Sequence, residues 1–543
     1  MDSVENTRDA EEACKFKLCV LRTQLGKTFA AIRCITTEIE QDGEFGKSIH
    51  LVFTMNTLLN NKQFSKRLTE IEEKYESGTV AVFASKYEGK YRHVKNINEL
   101  QGICADIKTC PRIVVMCSNT HRYEDGVRFL DVINRNPSNI SRAFVYYDEL
   151  HEYISGTLRK QIEKIHSFDI VKGIMALSGT PDKIWEGTGF WSKLRLIELD
   201  DLNDANYSGY NDMVFTCIDE FFELPYTRPS AFDYDELDGQ TIGFIEWVMK
   251  RHDLLKDNTR TFIPAHVRRS GHNKVRDIVF QKNKDSVVVV LNGVEKTLQY
   301  IDSGNIITLK LESLDEEVCE TISRMINSNK LKDRPLVITG FLCVGMGQTL
   351  MHESLGPFTS AIFGHMDLTN DAIYQLFGRI TGRTKGWSTY VPTQVYCPTT
   401  IMDRCHVMEE CARNMVLEYD ADLVDQDMYR APMYNMGEAG KAAEDNLRTK
   451  KSPVHKASDM DKDVRIFENM DDAIQFGKTL RVNFHKRKDP VAPKELQKDG
   501  KNPTKDDLLK RMWGIDEKNH ARMIPTEDNK WCVYWRPSLI RLA

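Results

Sequence analysis

The sequence predicts an α/β protein with two parallel-sheet units in tandem and a small α+β extension at the C-terminal end. Three observations carry this. From residue 15 to about 400, short runs rich in Val, Ile and Phe alternate with longer polar–apolar stretches. Such alternation implies crossover connections and a parallel sheet covered on both faces. The alternation breaks once, over 201–240, where DDLNDANYSGYND and PYTRPSAFDYDELDGQ are rich in Asp, Asn, Gly and Pro and read as a connection. Past 404 the texture changes to helical sequence, a charged linker and a short aromatic strand.

Taken in order, residues 1–14 are an acidic, polar tail. The first unit, 15–200, contains the strands KFKLCVL, SIHLVFTM, TVAVFA, RIVVMCS, AFVYYDE and GIMALSG, with TFAAIRCITTEIEQ and TLLNNKQFSKRLTEIEEKY helical between them. The second unit, 241–404, repeats the outline with RTFIPAH, DSVVVVLNG, NIITLKL, RPLVITG, SAIFGHM and TQVYCP as strands. EEVCETISRMINSNKL and NDAIYQLFGRI are its helices. The last segment, 405–543, begins helical, passes through GKAAEDNLRTKKSPVHKASDMDKD, and ends in a small domain with the helix DDAIQFGKTL and the strand KWCVYWRPSLI.

Composition sets the class. Of the 543 residues, 41% are apolar and 28% charged, as in ordinary soluble globular proteins. A net charge of −6 gives no global footprint of a nucleic-acid binder, and leaves room for a local basic face. No apolar run approaches the roughly 20 residues of a membrane helix, so no membrane partner is expected. The polar N-terminus is no secretory signal. The 13 cysteines are scattered without a CxxC pair, which reads as reduced thiols in an intracellular, soluble protein. Cys397, Cys405, His406 and Cys411 cluster locally but lack the paired spacing of zinc ligands.

The chemistry begins at LCVLRTQLGKTFAAI, where a strand runs into Thr23-Gln24-Leu25-Gly26-Lys27-Thr28 and a helix follows. Amides at a helix start bind anions. There Lys27 would reach the β/γ-phosphates of a nucleotide and the Thr28 hydroxyl would ligate Mg²⁺. The alternative is a chance Gly-Lys-Thr, because Leu21 stands where the standard loop has its first Gly. In VYYDELHEYI, two carboxylates close an apolar strand. Asp148 would hold the metal, usually through water, and Glu149 would position a nucleophilic water. His151 and the hydroxyls of Ser178 and Thr180 in SGTP are candidate relays; a capping histidine and a tight turn are the plain alternatives. In the second unit, VGMGQTL supplies Gly347 and Gln348 after a strand. QLFGRITGR places Gln375, Arg379 and Arg383 on a helix and its end, where arginines could stabilise charge on a transferred phosphoryl group.

In order and spacing these motifs resemble those of the superfamily 2 helicases and translocases of DExH-box type, over about residues 15–400. DELH at 148–151 is similar to the box, LGKT to the ATP-binding loop, SGTP to the third motif, and VGMGQTL and QLFGRITGR to the fifth and sixth. The forms in PLVITGFLCVGMGQTL and FGRITG look most like those of large DNA viruses, which would place the protein in the host cell or virion. The resemblance implies two RecA-like domains with ATP and Mg²⁺ in the cleft between them, and nucleic acid held across both by its phosphates. Thr57 and Thr120 stand where the family's backbone contacts fall, and RTFIPAHVRRSGHNKV, with Arg268 and Arg269, could supply the matching grip. The chain departs from the family at Leu21, at Gln348 (often Asn or Asp) and at Gly382, which stands where the second arginine is usual. Either a local bulge brings Arg383 in, or Arg379 serves alone.

The expected function is an ATP-dependent helicase or translocase acting on nucleic acid, DNA before RNA, with protein partners possible through the C-terminal region. The alternatives are a double-strand translocase that remodels without separating strands, and a non-hydrolysing scaffold on the same fold. The basic stretch FHKRKDPVAPKELQKDGKNPTK, with Trp513, Trp531, Tyr534 and Trp535 nearby, could stack single-stranded bases. The same aromatics read better as the core of a small domain.

Overall fold

The structure, a computed structural model, describes residues 15–42, 47–55, 63–75, 78–87, 89–106, 108–135, 140–197, 205–222, 234–266, 268–292, 296–311, 316–341, 349–417, 423–447, 463–482, 521–525, 530–535 and 540–542. Two bodies divide the chain, 1–452 and 453–543.

The larger body carries both expected α/β units, in the arrangement of tandem RecA-like domains. The first is built on β1 (Phe16–Val20), β2 (Ser48–Thr54), β3 (Val80–Phe83), β4 (Arg92–Val94), β5 (Ile113–Cys117), β6 (Arg142–Asp148), β7 (Val171–Ser178) and β8 (Lys193–Leu196). The second uses β9 (Val214–Cys217), β10 (Arg260–Pro264), β11 (Val287–Leu291), β12 (Lys296–Asp302), β13 (Asn305–Lys310), β14 (Leu336–Gly340), β15 (Ser360–Ile362) and β16 (Gln394–Cys397). A two-residue strand, β17 (Val424–Asp425), returns to the first sheet.

The first sheet runs β17-β8-β1-β7-β6-β2-β5-β3-β4. Among the described residues, only its β17–β8 pairing is antiparallel. Every residue of β2, β3 and β5 is buried, as parallel strands covered on both faces must be. Leu18, Phe53 and Val145 pack on one face, and Cys19, Val52 and Tyr146 on the other.

The second sheet runs β13-β12-β11-β14-β10-β15-β16-β9. Six of its strands are parallel, whereas β12 and β13 form an antiparallel hairpin on one edge. Ser303 and Gly304 turn that hairpin with φ of 49° and 82°. Two successive positive φ values suit the right-handed twist of a two-residue hairpin.

The segment expected as a connection contributes a strand, since β9 is the opposite edge of the second sheet. The boundary expected at 404/405 falls inside the helix Thr399–Leu417. That helix and the helices Gln426–Asn435 and Gly437–Asp445 bury Val407, Met408, Cys411, Tyr429, Met433 and Ala443 in the core of the first sheet. The chain thus passes from the second unit back to the first.

In the C-terminal body, β18 (Asp463–Phe467), β20 (Ala521–Pro525) and β21 (Trp531–Trp535) form an antiparallel sheet with β21 in the centre. β19 (Leu480–Val482) pairs with β22 (Ile540–Leu542). The helix Met470–Thr479 buries Met470 and Ala473. Trp513 and the basic stretch before it lie outside the described residues.

Candidate active site

Three loops of the first sheet converge because their strands are neighbours. β7 lies between β1 and β6. Val20 pairs with Ser178, and Leu177 with Asp148, so the three strands end at one level. The carboxyl edge of a parallel sheet is where ligands bind.

The loop after β1 turns through two left-handed positions, Gln24 at φ 58° and Gly26 at φ 110°. The space around Gly26 is open, with Phe29 Cβ 3.8 Å from a Cβ built there, so backbone conformation alone calls for glycine. The turn feeds the helix Lys27–Glu40, whose first amides have no partner within the helix. Lys27 is buried, with Nζ 3.1 Å from Glu149 Oε1. Gly179 makes room for it: a Cβ there would stand 3.1 Å from Lys27 Nζ and 3.2 Å from the Leu21 carbonyl oxygen.

Glu149 sits at φ 48°, which costs a non-glycine residue about 1–3 kcal/mol. Its Oε2 is 3.5 Å from His151 Nδ1 and accepts no hydrogen bond from the described residues. Burial pushes its pKa up, but Lys27 and His151 outweigh burial and hold it below the ordinary value. The neighbouring Asp148 goes the other way. Burial, and then the charge of Glu149, push it from 3.8 up to about 7. Two adjacent carboxyls in one cleft are thereby pushed in opposite directions.

Behind them, His151 is fully buried between two hydroxyls, with Ser178 Oγ 2.7 Å from Nδ1 and Thr180 Oγ1 2.9 Å from Nε2. The Thr180 amide donates to Ser178 Oγ. One imidazole thus links the loops after β6 and β7.

The second unit brings Gln375 and Arg379. Thr369 caps the helix Asn370–Phe377, which holds Gln375, by accepting from the Ala372 amide, and Arg379 follows its end. Gln375 is buried, and its Nε2 has no acceptor among the described residues. Arg379 Nε donates to the Gln375 carbonyl at 3.1 Å. Burial lowers Arg379 to about 10, against the opposing pull of Glu149.

The two units touch at the loop. Gln24 Nε2 donates to the Gly378 carbonyl at 2.8 Å, and Thr23 Oγ1 is 3.1 Å from Thr381 Oγ1. A Cβ on Gly378 would stand 2.6 Å from Thr23 Cβ, so that position must be glycine for the units to meet as they do. Arg22 stacks on the Tyr207 ring at 4.4 Å and pairs with buried Glu409. The Tyr207 hydroxyl donates to the Thr23 carbonyl at 2.9 Å.

One cavity of about 730 Å³ gathers nine of the residues singled out in the sequence: Thr23, Gln24, Gly26, Lys27, Thr28, Asp148, Glu149, Gln375 and Arg379. Arg383 is not among them. It is exposed, because Gly382 pairs back to Ser208 and turns the chain at φ 141°. Thr120 is exposed at the start of the helix that follows β5. Arg268 is half-buried and Arg269 exposed at the start of the helix that follows β10. None of the three lines the cavity. Thr57, Gly347 and Gln348 lie outside the described residues.

The cavity also holds residues that the sequence did not single out, among them Gln63, Lys66, Arg67 and Glu70. They sit in TLLNNKQFSKRLTEIEEKY, whose polarity is that of any solvated helix face. Their ties to the second unit, Lys66 to Glu320 and Arg67 to Glu317, leave no local signature.

A folded-state pKa raised above the unfolded one means that Asp148 destabilises the fold as pH rises from its ordinary value through about 7. Asp148→Asn is therefore expected to raise the thermal midpoint of the metal-free protein, and by more at pH 8 than at pH 5. Melting curves at the two pH values check this; an equal shift at both would contradict it.

A comparison with family models and with curated proteins returned no match. Among solved structures the chain is similar to a variant of S. cerevisiae Dbp5 bound to RNA and ADP BeF3. The identity is 11%, the TM-score 0.35, and the match covers 79% of this chain and 89% of that one. It is also similar to the E. coli DExH-box NTPase HrpB, at 11% identity and TM-score 0.36, covering 81% of this chain and 47% of HrpB. The Pyrococcus furiosus Hef helicase domain matches at 10% identity and TM-score 0.37, over 73% of this chain and 95% of that one. Among the described residues, no helix is long and apolar enough to cross a membrane.

Proposed function

We propose that the chain is an ATP-dependent nucleic-acid motor of DExH type. The observation that supports it most is the meeting of Lys27, Thr28, Asp148 and Glu149 from one α/β unit with Gln375 and Arg379 from the other around one cavity. Its volume falls within the usual range for ligand clefts, roughly 300–1,000 Å³. The donor set suits a metal-bound triphosphate. It offers a lysine at a helix start, a hydroxyl and a carboxylate suited to a hard cation, and an unused buried amide on Gln375.

In this reading Lys27, paired with Glu149 at 3.1 Å, would exchange that partner for the β/γ-phosphates of a nucleotide. That exchange would free Glu149 to accept a hydrogen from the attacking water, and Oε2 already has no donor among the described residues. Thr28 and Asp148 would hold Mg²⁺, which when bound neutralises charge developing on the phosphate oxygens. Gln375 would orient the water and Arg379 would face the transferred phosphoryl group. His151, Ser178 and Thr180 would carry a change at Glu149 into the loop after β7. Thr23 and Gln24 would pass it to Gly378 and Thr381.

Nucleic acid would be gripped through its phosphates by Thr57 and Thr120 of one unit and Arg268 and Arg269 of the other. DNA is preferred to RNA on the resemblance to the enzymes of large DNA viruses. Gly347 and Gln348 would complete the nucleotide side, and the C-terminal body is the place for protein partners.

A second reading, a scaffold that does not hydrolyse, is favoured by one observation: Arg383 stays outside the cavity. ATP hydrolysis by the purified chain, alone and with single-stranded DNA, duplex DNA and RNA, separates the two. Turnover stimulated by one polymer identifies a motor and its track. Nucleic-acid binding without turnover identifies the scaffold.

A further inference from the structure

We propose that Arg67 is a second guanidinium for the terminal phosphate, the residue by which the cavity tells a nucleoside triphosphate from a diphosphate. The proposal rests on the nucleotide reading above and adds a residue that the sequence motifs do not assign.

Arg67 follows a helical turn, its amide bonded to the Phe64 carbonyl at 3.1 Å. Its guanidinium spreads three ways. Nη1 donates to Thr28 Oγ1 at 3.1 Å, Nη2 to Thr349 Oγ1 at 3.3 Å, and Nε to Glu317 Oε1 at 3.3 Å. Thr28 belongs to the first unit; Thr349 and Glu317 belong to the second. The charge also lies close enough to Asp148 to favour its ionised form. Arg67 is therefore a cation at the lysine–threonine end of the cavity, where the nucleotide reading puts the terminal phosphates.

A transferred phosphoryl group spreads charge over three oxygens and is served by more than one cation. From the second unit only Arg379 of the two sixth-motif arginines lines the cavity. Arg67 lines it too, and a guanidinium fork matches phosphate geometry. Two of its present partners are neutral hydroxyls. A phosphate offers an opposite charge and two oxygens for the guanidinium fork, where each hydroxyl offers one neutral acceptor, so a terminal phosphate displaces the hydroxyls. Glu317 remains as the anchor that aims the fork. A diphosphate has no such group to offer and leaves Arg67 where it is.

The opposite possibility is that Arg67 merely holds the metal's place at Thr28, so that a metal-bound nucleotide must expel it. The two differ in sign. Fluorescent ADP and a fluorescent non-hydrolysable ATP analogue, each with Mg²⁺, are titrated into the full-length chain, Arg67→Ala and Arg67→Lys. Arg67→Ala is expected to weaken the triphosphate analogue by about 10-fold or more, in line with a lost charge-assisted fork, and to change ADP by less than about 2-fold. Arg67→Lys, which keeps the charge but not the fork, is expected to fall between. Thermal melting without nucleotide shows whether either variant is folded, and the better-folded one decides. Equal weakening of both nucleotides would mean a structural role. An unchanged or tightened triphosphate would mean a placeholder. Either result overturns the proposal. Binding of neither nucleotide by the unaltered chain would instead remove the nucleotide reading itself, and this inference with it.

Discussion

Glu149→Gln is expected to lower ATP turnover by about 10³-fold, the middle of the range for a lost general base, while nucleotide binding holds or tightens. The amide keeps the size of the side chain and its place at φ 48°. What it loses is the negative charge that holds Lys27 at 3.1 Å and the open acceptor at Oε2. Losing the first releases Lys27 to a phosphate without competition. Losing the second removes the group that orients the water. Phosphate release under saturating ATP, together with titration of a fluorescent nucleotide, reads both halves. A variant within 10-fold of the parent in turnover would show that the water is positioned by another group. Weaker binding would show that Glu149 helps to hold nucleotide.

Arg379→Ala is expected to cost about 10³-fold or more in kcat, the scale of a removed arginine finger, with a smaller change in KM. Arg379 is buried beside the cavity, and burial already lowers its pKa to about 10. A cation kept in so dry a place needs an anionic partner when the site is working, and the described residues supply Glu149 as the nearby carboxylate. Arg379→Lys separates charge from shape, because an ammonium cannot fork across two oxygens. The lysine variant should recover only part of the loss. Equal turnover in the alanine variant and the parent would move the transition-state charge to another residue and rule Arg379 out of the chemistry.

The motifs that were legible in the sequence are those whose chemistry is local. Gly-Lys-Thr at a strand–helix junction, two carboxylates ending an apolar strand, and Ser-Gly-Thr-Pro after the next strand each need only a few consecutive residues. The parallel core was legible for a similar reason: β5 and β11 are buried on both faces, and their sequences are unbroken apolar runs. Elements whose identity depends on a distant partner were not legible. β9 is four residues in an Asp- and Asn-rich stretch and becomes a strand by lying along β16. β12 mixes polar and apolar residues without a period of two and is fixed by pairing with β11 and β13. Tyr207 reads as part of a connector until it is seen donating to Thr23 across 184 positions of sequence. Arg67 reads as a surface cation until Thr28 and Thr349 are beside it. Arg383 shows the converse: its spacing from Gln375 invites a bulge, but the Gly382–Ser208 bridge carries it outside.

The return of β17 to the first sheet bears on how the larger body can move. The chain crosses between the α/β units first from β8 to β9 and again from β16 to β17. β8 lies beside β17 on one side, and β9 beside β16 on the other. The second crossing runs through the helix Thr399–Leu417, so the two units are joined twice, by segments whose described ends pair as neighbouring strands in each sheet. Two points of attachment define a line about which one unit can swing, whereas a single point would let it turn in every direction. The cleft that holds Lys27 and Arg379 should then open as a door does, by a swing about a nearly fixed line. On each closing stroke the same arginine would return to the same lysine.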